Sequence, residues 1–313
     1  MKKISLLAGY SRREKKDVIF ALCLLAFPII QFIVFYLFVN LNTAILAFQD
    51  IKGDFTLANF ERLFKLLSEK GSNSLSMSLA RSLITFSVGT FITFPVSIFI
   101  TYALFKKIPG EMFFRITFFL PSLLGQVIMT TMYRYIVDAT GPVLKLVQML
   151  NINVDAHVLR DGLLGNIKTA FPTILVFGFW WSLGANIVVL TGALTRIPKE
   201  IFESAKLDGI TFVKEFTRIS FPLIWPSVST LLIFNMSLVF TADNATFLLV
   251  GNSQLGTSTV GFYIFYQLFT LSQVSSTAYG YPAALGCFFT LITIPVVLTV
   301  RFIIERFTDD ITY

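Results

Sequence analysis

The sequence predicts an all-α polytopic membrane protein with six transmembrane helices, and three observations lead to this fold class. Only 14% of the 313 residues are charged and 55% are hydrophobic, whereas a soluble domain carries roughly 25% charged residues. Six stretches, each close to the length that crosses a bilayer, contain no Asp, Glu, Lys or Arg. Basic residues concentrate in alternate connecting segments, as the positive-inside rule requires.

The six stretches are read as spans because an α-helix rises about 1.5 Å per residue, so roughly 20 apolar residues cross the hydrocarbon core. The predicted spans are 18–39, 82–105, 116–133, 169–195, 219–242 and 281–300.

Three stretches need separate justification. The first has 22 apolar residues after a basic segment, which exceeds the roughly 7–15 residues of a signal-peptide core and predicts a retained span. The third has 18 residues and is expected to continue through Arg134, with that side chain reaching back to the interface. The uncharged stretch 258–271 has 14 residues, so it predicts an interfacial or re-entrant segment rather than a seventh span.

The basic residues predict the orientation of the bundle. If both termini are cytoplasmic, the inner segments contain 16 Lys and Arg in 63 residues, and the outer segments contain 9 in 115. The density is therefore higher inside, in the sense that membrane proteins follow. The predicted organisation is a cytoplasmic tail at 1–17, a transmembrane domain at 18–307 and a second cytoplasmic tail at 308–313.

Prolines interrupt several spans, among them Pro28, Pro95, Pro121, Pro172 and Pro295. Within a helix bundle the backbone groups that proline frees can find partners on neighbouring helices. Two interpretations are open at each site: a kink that helps an irregular helix to pack, or a hinge used during a conformational change.

The sequence also excludes several function classes. It contains no Gly-Lys dipeptide, so it cannot form a P-loop and cannot bind ATP by that route. The sole histidine, His157, lies in a predicted outer loop, and no metal-ligand spacing or catalytic cluster is present. Cys23 and Cys287 are expected to be buried apolar thiols. The net charge of +7 lies between apolar runs, which suits membrane topology and membrane lipid rather than nucleic acid.

The spans carry no ionised side chain, although carriers driven by protons or sodium often place one at mid-membrane. Transport by this chain would therefore be passive, or another subunit would drive it.

The segment 196–222, between spans four and five, is the most informative part of the chain. Pro198 suits the first position of a helix, and nothing breaks the helix before Asp208 and Gly209, where glycine can adopt the left-handed conformation that ends it. A second short helix is predicted at 211–219, before Pro222 begins span five. The residues alone leave two interpretations open: a docking element for a partner protein, or an amphipathic loop resting on lipid headgroups.

This segment resembles the EAA motif of the membrane subunits of binding-protein-dependent, type I ABC importers. That motif reads E-A-A, three residues, G, nine residues, then I-x-L-P. The chain has Glu203-Ser204-Ala205, three residues, Gly209, nine residues, then Ile219-Ser220-Phe221-Pro222. All spacings are kept, while Ser204 and Phe221 depart from the pattern.

The resemblance implies a type I ABC importer membrane domain in the plasma membrane of a prokaryote. In that family the segment is a coupling helix that docks on a cytoplasmic ATPase dimer, and this partner binds the ATP and Mg. The chain itself would hold no cofactor. The other implied partners are a second permease subunit, with which the chain forms a heterodimer, and an extracytoplasmic solute-binding protein. The residues implied in coupling are Glu203, Ser204, Ala205, Asp208, Gly209, Ile219 and Pro222.

Further segments resemble the carbohydrate branch of the family, in particular the maltose-type first permease subunit. They are Phe55-Thr56-Leu57-Ala58-Asn59-Phe60, Arg115-Ile116-Thr117-Phe118-Phe119-Leu120-Pro121, Ile197-Pro198-Lys199-Glu200, and Gly280-Tyr281. The large outer insertion of the enteric maltose subunit has no counterpart here.

Because family members contact substrate from the helices on either side of the EAA segment, the resemblance suggests a substrate path in spans four and five. The candidate residues are Trp180, Trp181, Ser182, Asn186, Asn235, Asp243 and Asn244. Other interpretations remain open: the tryptophans can pack or form an interfacial belt, and Asn235 can make an interhelical hydrogen bond.

The preferred function is import of a sugar or oligosaccharide. Import of glycerol phosphate, polyamine or another small solute is the alternative within the family, and an ATP-independent secondary carrier is the alternative outside it. A membrane enzyme is disfavoured, since no acidic or histidine cluster faces the bilayer. The uncharged outer stretch 244–280 could face the solute-binding protein or close the outer mouth.

Overall fold

The structure is a computed structural model that describes residues 12–50, 52–71, 74–152, 155–243, 245–251, 255–274 and 279–308. Its described residues form sixteen α-helices, with π-helical turns at Phe32–Phe38, Gly89–Thr93 and Phe216–Ser220. The helices are α1 (Arg12–Gln31), α2 (Val39–Ala47), α3 (Ala58–Ser68), α4 (Leu75–Val88), α5 (Phe94–Phe105), α6 (Glu111–Leu123), α7 (Gln126–Val137), α8 (Pro142–Met149), α9 (Ala156–Asp161), α10 (Ala170–Leu194), α11 (Lys199–Leu207), α12 (Phe212–Glu215), α13 (Phe221–Ser237), α14 (Thr246–Val250), α15 (Val260–Val274) and α16 (Gly280–Thr308).

The predicted fold class, an all-α polytopic membrane protein, is confirmed. Five continuous helical runs are long and apolar enough to cross a membrane, and a sixth span results if one bent helix pair is counted as a span. The five runs are Lys16–Ala47, Leu75–Phe105, Ala170–Leu194, Phe212–Ser237 and Gly280–Arg306. They contain the predicted spans one, two, four, five and six almost entirely. The cytoplasmic location of the termini remains a prediction, and residues 1–11 and 309–313 of the predicted tails lie outside the described residues.

The third predicted span differs from a simple crossing helix. Helix α6 ends at Leu123 and α7 begins at Gln126, and the chain bends by 116° between them. Pro121 lacks a backbone N–H, and Leu124 has an extended conformation that cannot continue the helix. Helix α7 continues through Arg134 as expected. The uncharged run predicted a span here, and Pro121 indicated a kink or a hinge in it but not a bend of this size.

Two of the three π-helical turns lie directly before a proline. Gly89–Thr93 precedes Pro95, and Phe216–Ser220 precedes Pro222. A proline ring clashes with the carbonyl four residues earlier and offers it no hydrogen, so a wider turn at this point keeps the helix continuous. Spans two and five are therefore unbroken helices with a locally widened turn.

Helix α10 is the centre of the bundle, and it packs against α5, α6 and α13. Its buried residues include Phe177, Leu183, Ile187 and Leu190, which recur at helical spacing. In contrast, the first span is peripheral: its apolar side chains from Phe20 to Val39 are exposed in the isolated chain. That surface suits lipid or a second subunit.

The short apolar stretch predicted at 258–271 forms α15, which packs against α4 and α16 rather than spanning the bundle alone. Val260, Phe262 and Tyr263 are buried there. The Val260 backbone N–H donates to the Ser82 hydroxyl on α4 at 2.8 Å. This segment is thus a short helix held against spans two and six, in agreement with its length.

Replacing Gly184 with alanine is expected to destabilise the bundle. A Cβ atom at this position would lie 2.7 Å from the Phe118 carbonyl oxygen and 2.9 Å from Ser122 Cβ, both on α6. Small residues permit such close helix approach in membranes, and overpacking typically costs about 1–3 kcal/mol. Thermal unfolding of the purified protein in detergent measures the effect. Gly192→Ala on the same helix is the matched control, since no heavy atom lies within 4 Å of its Cβ position. Equal midpoints for the two variants would contradict the prediction.

Candidate functional site

The segment between spans four and five is a short helix followed by a tight turn. Helix α11 begins at Lys199, one residue after Pro198. Phe202 and Ala205 are buried against the rest of the chain, whereas Glu203 and Ser204 are exposed. Of the two small residues in the motif, only Ser204 is therefore accessible to a partner protein. The exposed face of α11 carries the Glu203 carboxylate.

The turn after α11 is a Schellman motif, in which two backbone bonds close the helix end. The Gly209 N–H donates to the Lys206 carbonyl at 3.1 Å, and the Ile210 N–H donates to the Ala205 carbonyl at 3.2 Å. Gly209 has φ of +69°, the left-handed conformation that glycine adopts without strain. Asp208 is the last residue before it and is exposed. The helix and turn predicted from the sequence are thus present.

The predicted second helix at 211–219 is not separate from span five. Helix α12 begins at Phe212 and continues through the π-helical turn into α13, so one helical run extends to Ser237. Ile219 and Pro222 lie within this run and are partly buried. The run ends five residues before the predicted limit at 242. Two non-helical residues, Ile210 and Thr211, separate the turn at Gly209 from this helical run.

The buried side of α11 contacts the inner end of span two. The Phe202 ring lies 5.4 Å from the Phe105 ring, between ring centres. The Lys106 side chain forms an ion pair with Glu215 on α12, and its ammonium nitrogen lies 4.3 Å from the centre of the Phe202 ring. Sequence reasoning missed this junction.

A cavity of about 480 Å³ lies between spans two, four and five. Four of the seven predicted substrate-path residues line it: Trp181, Ser182, Asn186 and Asn235. Within the described part of the chain, no hydrogen-bond partner is found for the side-chain amides of Asn186 and Asn235. Among the described residues, the interhelical hydrogen bond considered for Asn235 is therefore not formed, and its amide faces the cavity without a protein partner there.

The other three predicted residues do not line this cavity. Trp180 packs into an outer apolar cluster with Met129, Tyr133 and Phe177. Asp243 accepts a bond from the Ala245 backbone N–H at 3.1 Å and so shapes the loop after span five. Asn244 lies outside the described residues.

Span two supplies hydroxyl groups that the sequence analysis did not select. Thr85, Thr90 and Thr93 line the cavity from this side. The Thr85 hydroxyl is buried and has no hydrogen-bond partner among the described residues, which is costly unless a ligand or water satisfies it. The sequence did contain a signal for these residues, because Ser and Thr recur at helical spacing along span two. The structure buries this set, namely Ser78, Ser82, Thr85, Thr90, Thr93, Ser97 and Thr101.

The described residues that line the cavity include no charged side chain: their polar groups are amides and hydroxyls, and their aromatic groups include Trp181, Phe86, Phe179 and Phe234. Such a surface can form hydrogen bonds and stack against an apolar face of a ligand, but it offers no counter-ion. Within the described chain, no group of three or more His, Cys, Asp or Glu side chains is arranged to hold a metal ion.

No family model matches the chain. Among curated proteins, it is 27% identical over 205 residues to the multiple sugar-binding transport system permease protein MsmF of Streptococcus mutans. The match covers 64% of this chain and 66% of that protein, so the chain spans slightly less than two thirds of this relative's length.

Two solved structures share the fold. A bacterial ABC transporter involved in the import of the acidic polysaccharide alginate superposes with a TM-score of 0.77 at 20% identity, over 95% of this chain and 100% of the matched chain. A bacterial alginate ABC transporter in complex with an alginate pentasaccharide-bound periplasmic protein gives a TM-score of 0.77 at 19% identity, over 94% and 96% of the two chains. The chain shares its fold with chains of these two ABC transporters, and the predicted resemblance to sugar-transport permeases is confirmed by the curated relative.

Proposed function

We propose that this chain is a membrane-spanning subunit of an ATP-driven importer and forms half of the translocation path for a sugar or oligosaccharide. The observation that supports this most directly is the exposed helix α11 with its left-handed turn at Gly209. It stands between spans four and five with the EAA spacing, in a chain that has the fold of an ABC importer subunit. Through Glu203 to Gly209 the chain would dock on a separate ATPase.

The assembly proposed for this function has three further components. An ATPase dimer would bind ATP and Mg and contact α11, and a second permease subunit would complete the path. A solute-binding protein would deliver the solute from outside. This set is supported by the likeness to an alginate importer whose structure includes a periplasmic protein with bound pentasaccharide. The exposed apolar surface of the first span offers room for a second subunit.

The cavity between spans two, four and five, called the central cavity below, has a chemistry that favours a neutral polyhydroxylated solute over glycerol phosphate or a polyamine. A charged solute that leaves water would need counter-charges, since burying an unpaired ion is costly. Among the described residues, the cavity provides only amides, hydroxyls and apolar groups. Sugars present hydroxyl groups to such amides and apolar ring faces to aromatic side chains.

The test is transport by proteoliposomes that contain this chain, its partner permease and the ATPase, with the binding protein outside. Uptake of radiolabelled oligosaccharide is expected only with internal ATP, and liposomes that contain this chain alone should show none. ATP-independent uptake by the chain alone would contradict the proposal and would favour a secondary carrier.

Replacing Thr85 with valine is expected to weaken solute uptake without loss of assembly. Valine keeps the shape but removes the hydroxyl that lacks a partner in the described chain. If that hydroxyl binds substrate, the loss of one hydrogen bond, about 1 kcal/mol, raises the KM for uptake about fivefold. Thr101→Val is the control on the same helix, because the Thr101 hydroxyl donates to the Ser97 carbonyl at 2.6 Å and does not line the cavity. An unchanged KM in Thr85→Val would remove span two from the substrate path.

A further inference from the structure

We propose that Lys106 is a positioning residue that joins the coupling segment to span two, so that one displacement of α11 moves spans two and five together. This inference rests on the proposed function. Lys106 directly follows α5, at the inner end of span two. It contacts α11 through the Phe202 ring and α12 through the Glu215 carboxylate. A single side chain thus connects the end of span two with two consecutive helices, α11 and α12, that come much later in the sequence.

The burial of this ion pair distinguishes it from the others. The exposed fractions of the two side chains are 18% for Lys106 and 7% for Glu215. The three other ion pairs among the described residues join positions one or four apart and are more exposed: Arg115 with Glu111, Arg160 with Asp161, and Arg301 with Glu305. A buried pair gains little net stability over apolar residues of similar volume, and its best-attested role is to fix the register of packed elements.

Aromatic packing makes the junction a compact body. The Tyr102 side chain is fully buried, and its ring lies 4.8 Å from the Phe212 ring and 4.9 Å from the Phe216 ring, between ring centres. The Tyr102 hydroxyl donates to the Phe212 carbonyl at 3.4 Å. Packed cores of this kind switch between discrete arrangements and do not deform continuously. The inner ends of spans two and five therefore move as one unit with α11.

This arrangement has a consequence for transport. Span two and span five both line the central cavity. If the junction moves as one unit, a pull on α11 shifts two of the three cavity walls at the same time. Without the ion pair, span five would still follow α11 through the turn at Gly209. Span two would then be held to α11 and α12 by the aromatic contacts alone and would follow α11 less closely.

The test uses the complete importer in proteoliposomes, with ATP hydrolysed per solute imported as the readout. The double variant Lys106→Met/Glu215→Leu removes both charges and keeps side chains of comparable size, so it should insert and assemble as wild type does. It is expected to raise the ATP consumed per solute by about fivefold or more, the usual range of coupling between two sites. Lys106→Met alone leaves the Glu215 carboxyl buried without its partner, and should raise the ATP consumed per solute by at least as much.

Arg301→Met is the matched control, since it breaks an exposed ion pair at the end of α16 and should leave the ratio unchanged. If the double variant assembles and has the wild-type ratio, Lys106 and Glu215 have only a structural role and the inference is wrong. If instead the wild-type complex imports no solute with ATP, the proposed function itself fails.

A covalent cross-link supplies an independent measurement. In a background with Cys23→Ser and Cys287→Ser, the variant Lys106→Cys/Glu215→Cys is treated with a short bis-methanethiosulfonate, which forms a disulfide with each thiol, releases methanesulfinate and spans the former ion pair. Movement as one unit predicts that the cross-linked importer retains uptake. Loss of uptake on cross-linking, reversed by reduction, would mean that the two positions move apart and would overturn the inference.

Discussion

Replacement of Gly209 by proline is expected to abolish solute uptake and solute-stimulated ATP hydrolysis while the protein still inserts into the membrane. Gly209 has φ of +69°, whereas proline fixes φ near −65° and has no N–H. The substitution therefore removes the hydrogen bond from the Gly209 N–H to the Lys206 carbonyl, and it changes the sign of φ at position 209 so that the turn cannot form. The cost at this site exceeds about 1 kcal/mol. The measurement is uptake and ATPase activity of the reconstituted complex, with membrane content checked by immunoblot.

Gly209→Asn separates the conformation of the turn from the mere presence of glycine. Asparagine tolerates the left-handed conformation better than other residues, and no heavy atom lies within 4 Å of the Cβ position. This variant should retain most of the uptake. Wild-type uptake in Gly209→Pro would remove the coupling role from this segment. Equal loss in both variants would mean that the backbone conformation at position 209 does not decide coupling.

Replacement of Asn235 by alanine is expected to impair solute uptake more than ATPase docking. The Asn235 amide lines the central cavity and has no hydrogen-bond partner among the described residues. If it binds solute, its loss costs about 1–2 kcal/mol of binding free energy, which corresponds to an increase of about 5–30-fold in the KM for uptake. Co-purification of the ATPase with the variant measures docking separately.

Thr230→Ala is the control for Asn235→Ala on the same helix. The Thr230 side chain is exposed and donates to the Pro226 carbonyl at 2.8 Å, away from the cavity. It should leave the KM unchanged. If Asn235→Ala has wild-type uptake kinetics, Asn235 does not contact the solute, and the cavity is not the substrate site.

The sequence predicted most of the membrane-spanning architecture because a bilayer imposes a strict requirement for length and low charge. It did not predict the size of the bend between α6 and α7, since Pro121 indicates either a kink or a hinge and an uncharged run is equally apolar whether the helix is straight or broken. The joining of α12 to span five was missed for a related reason. Pro222 favours a helix start, but the π-helical turn before it accommodates the proline inside a longer helix.

The helix and turn of the segment 196–222 were predictable because their features are local. The left-handed turn at Gly209 and the exposed position of Glu203 follow from a few adjacent residues. The pairing of Lys106 with Glu215 was not, because a single sequence does not say which distant charges meet. Thr85 escaped attention since threonine usually satisfies its hydroxyl on its own helix. Its orphaned hydroxyl was visible only in the structure.

The buried hydroxyl face of span two restricts how that helix can move. In its inner half the hydroxyls bond to carbonyls of their own helix, as Ser97 does with Phe94 at 2.6 Å, and so do not lock onto neighbours. The span is held to its neighbours at two separate points, by Ser82 to Val260 within α4 and by Lys106 to Glu215 at the end of α5. A helix that is held at two points bends most easily between them. The π-helical turn Gly89–Thr93 lies there, beside the cavity. We therefore expect span two to bend near Gly89–Thr93 rather than to rotate about its own axis.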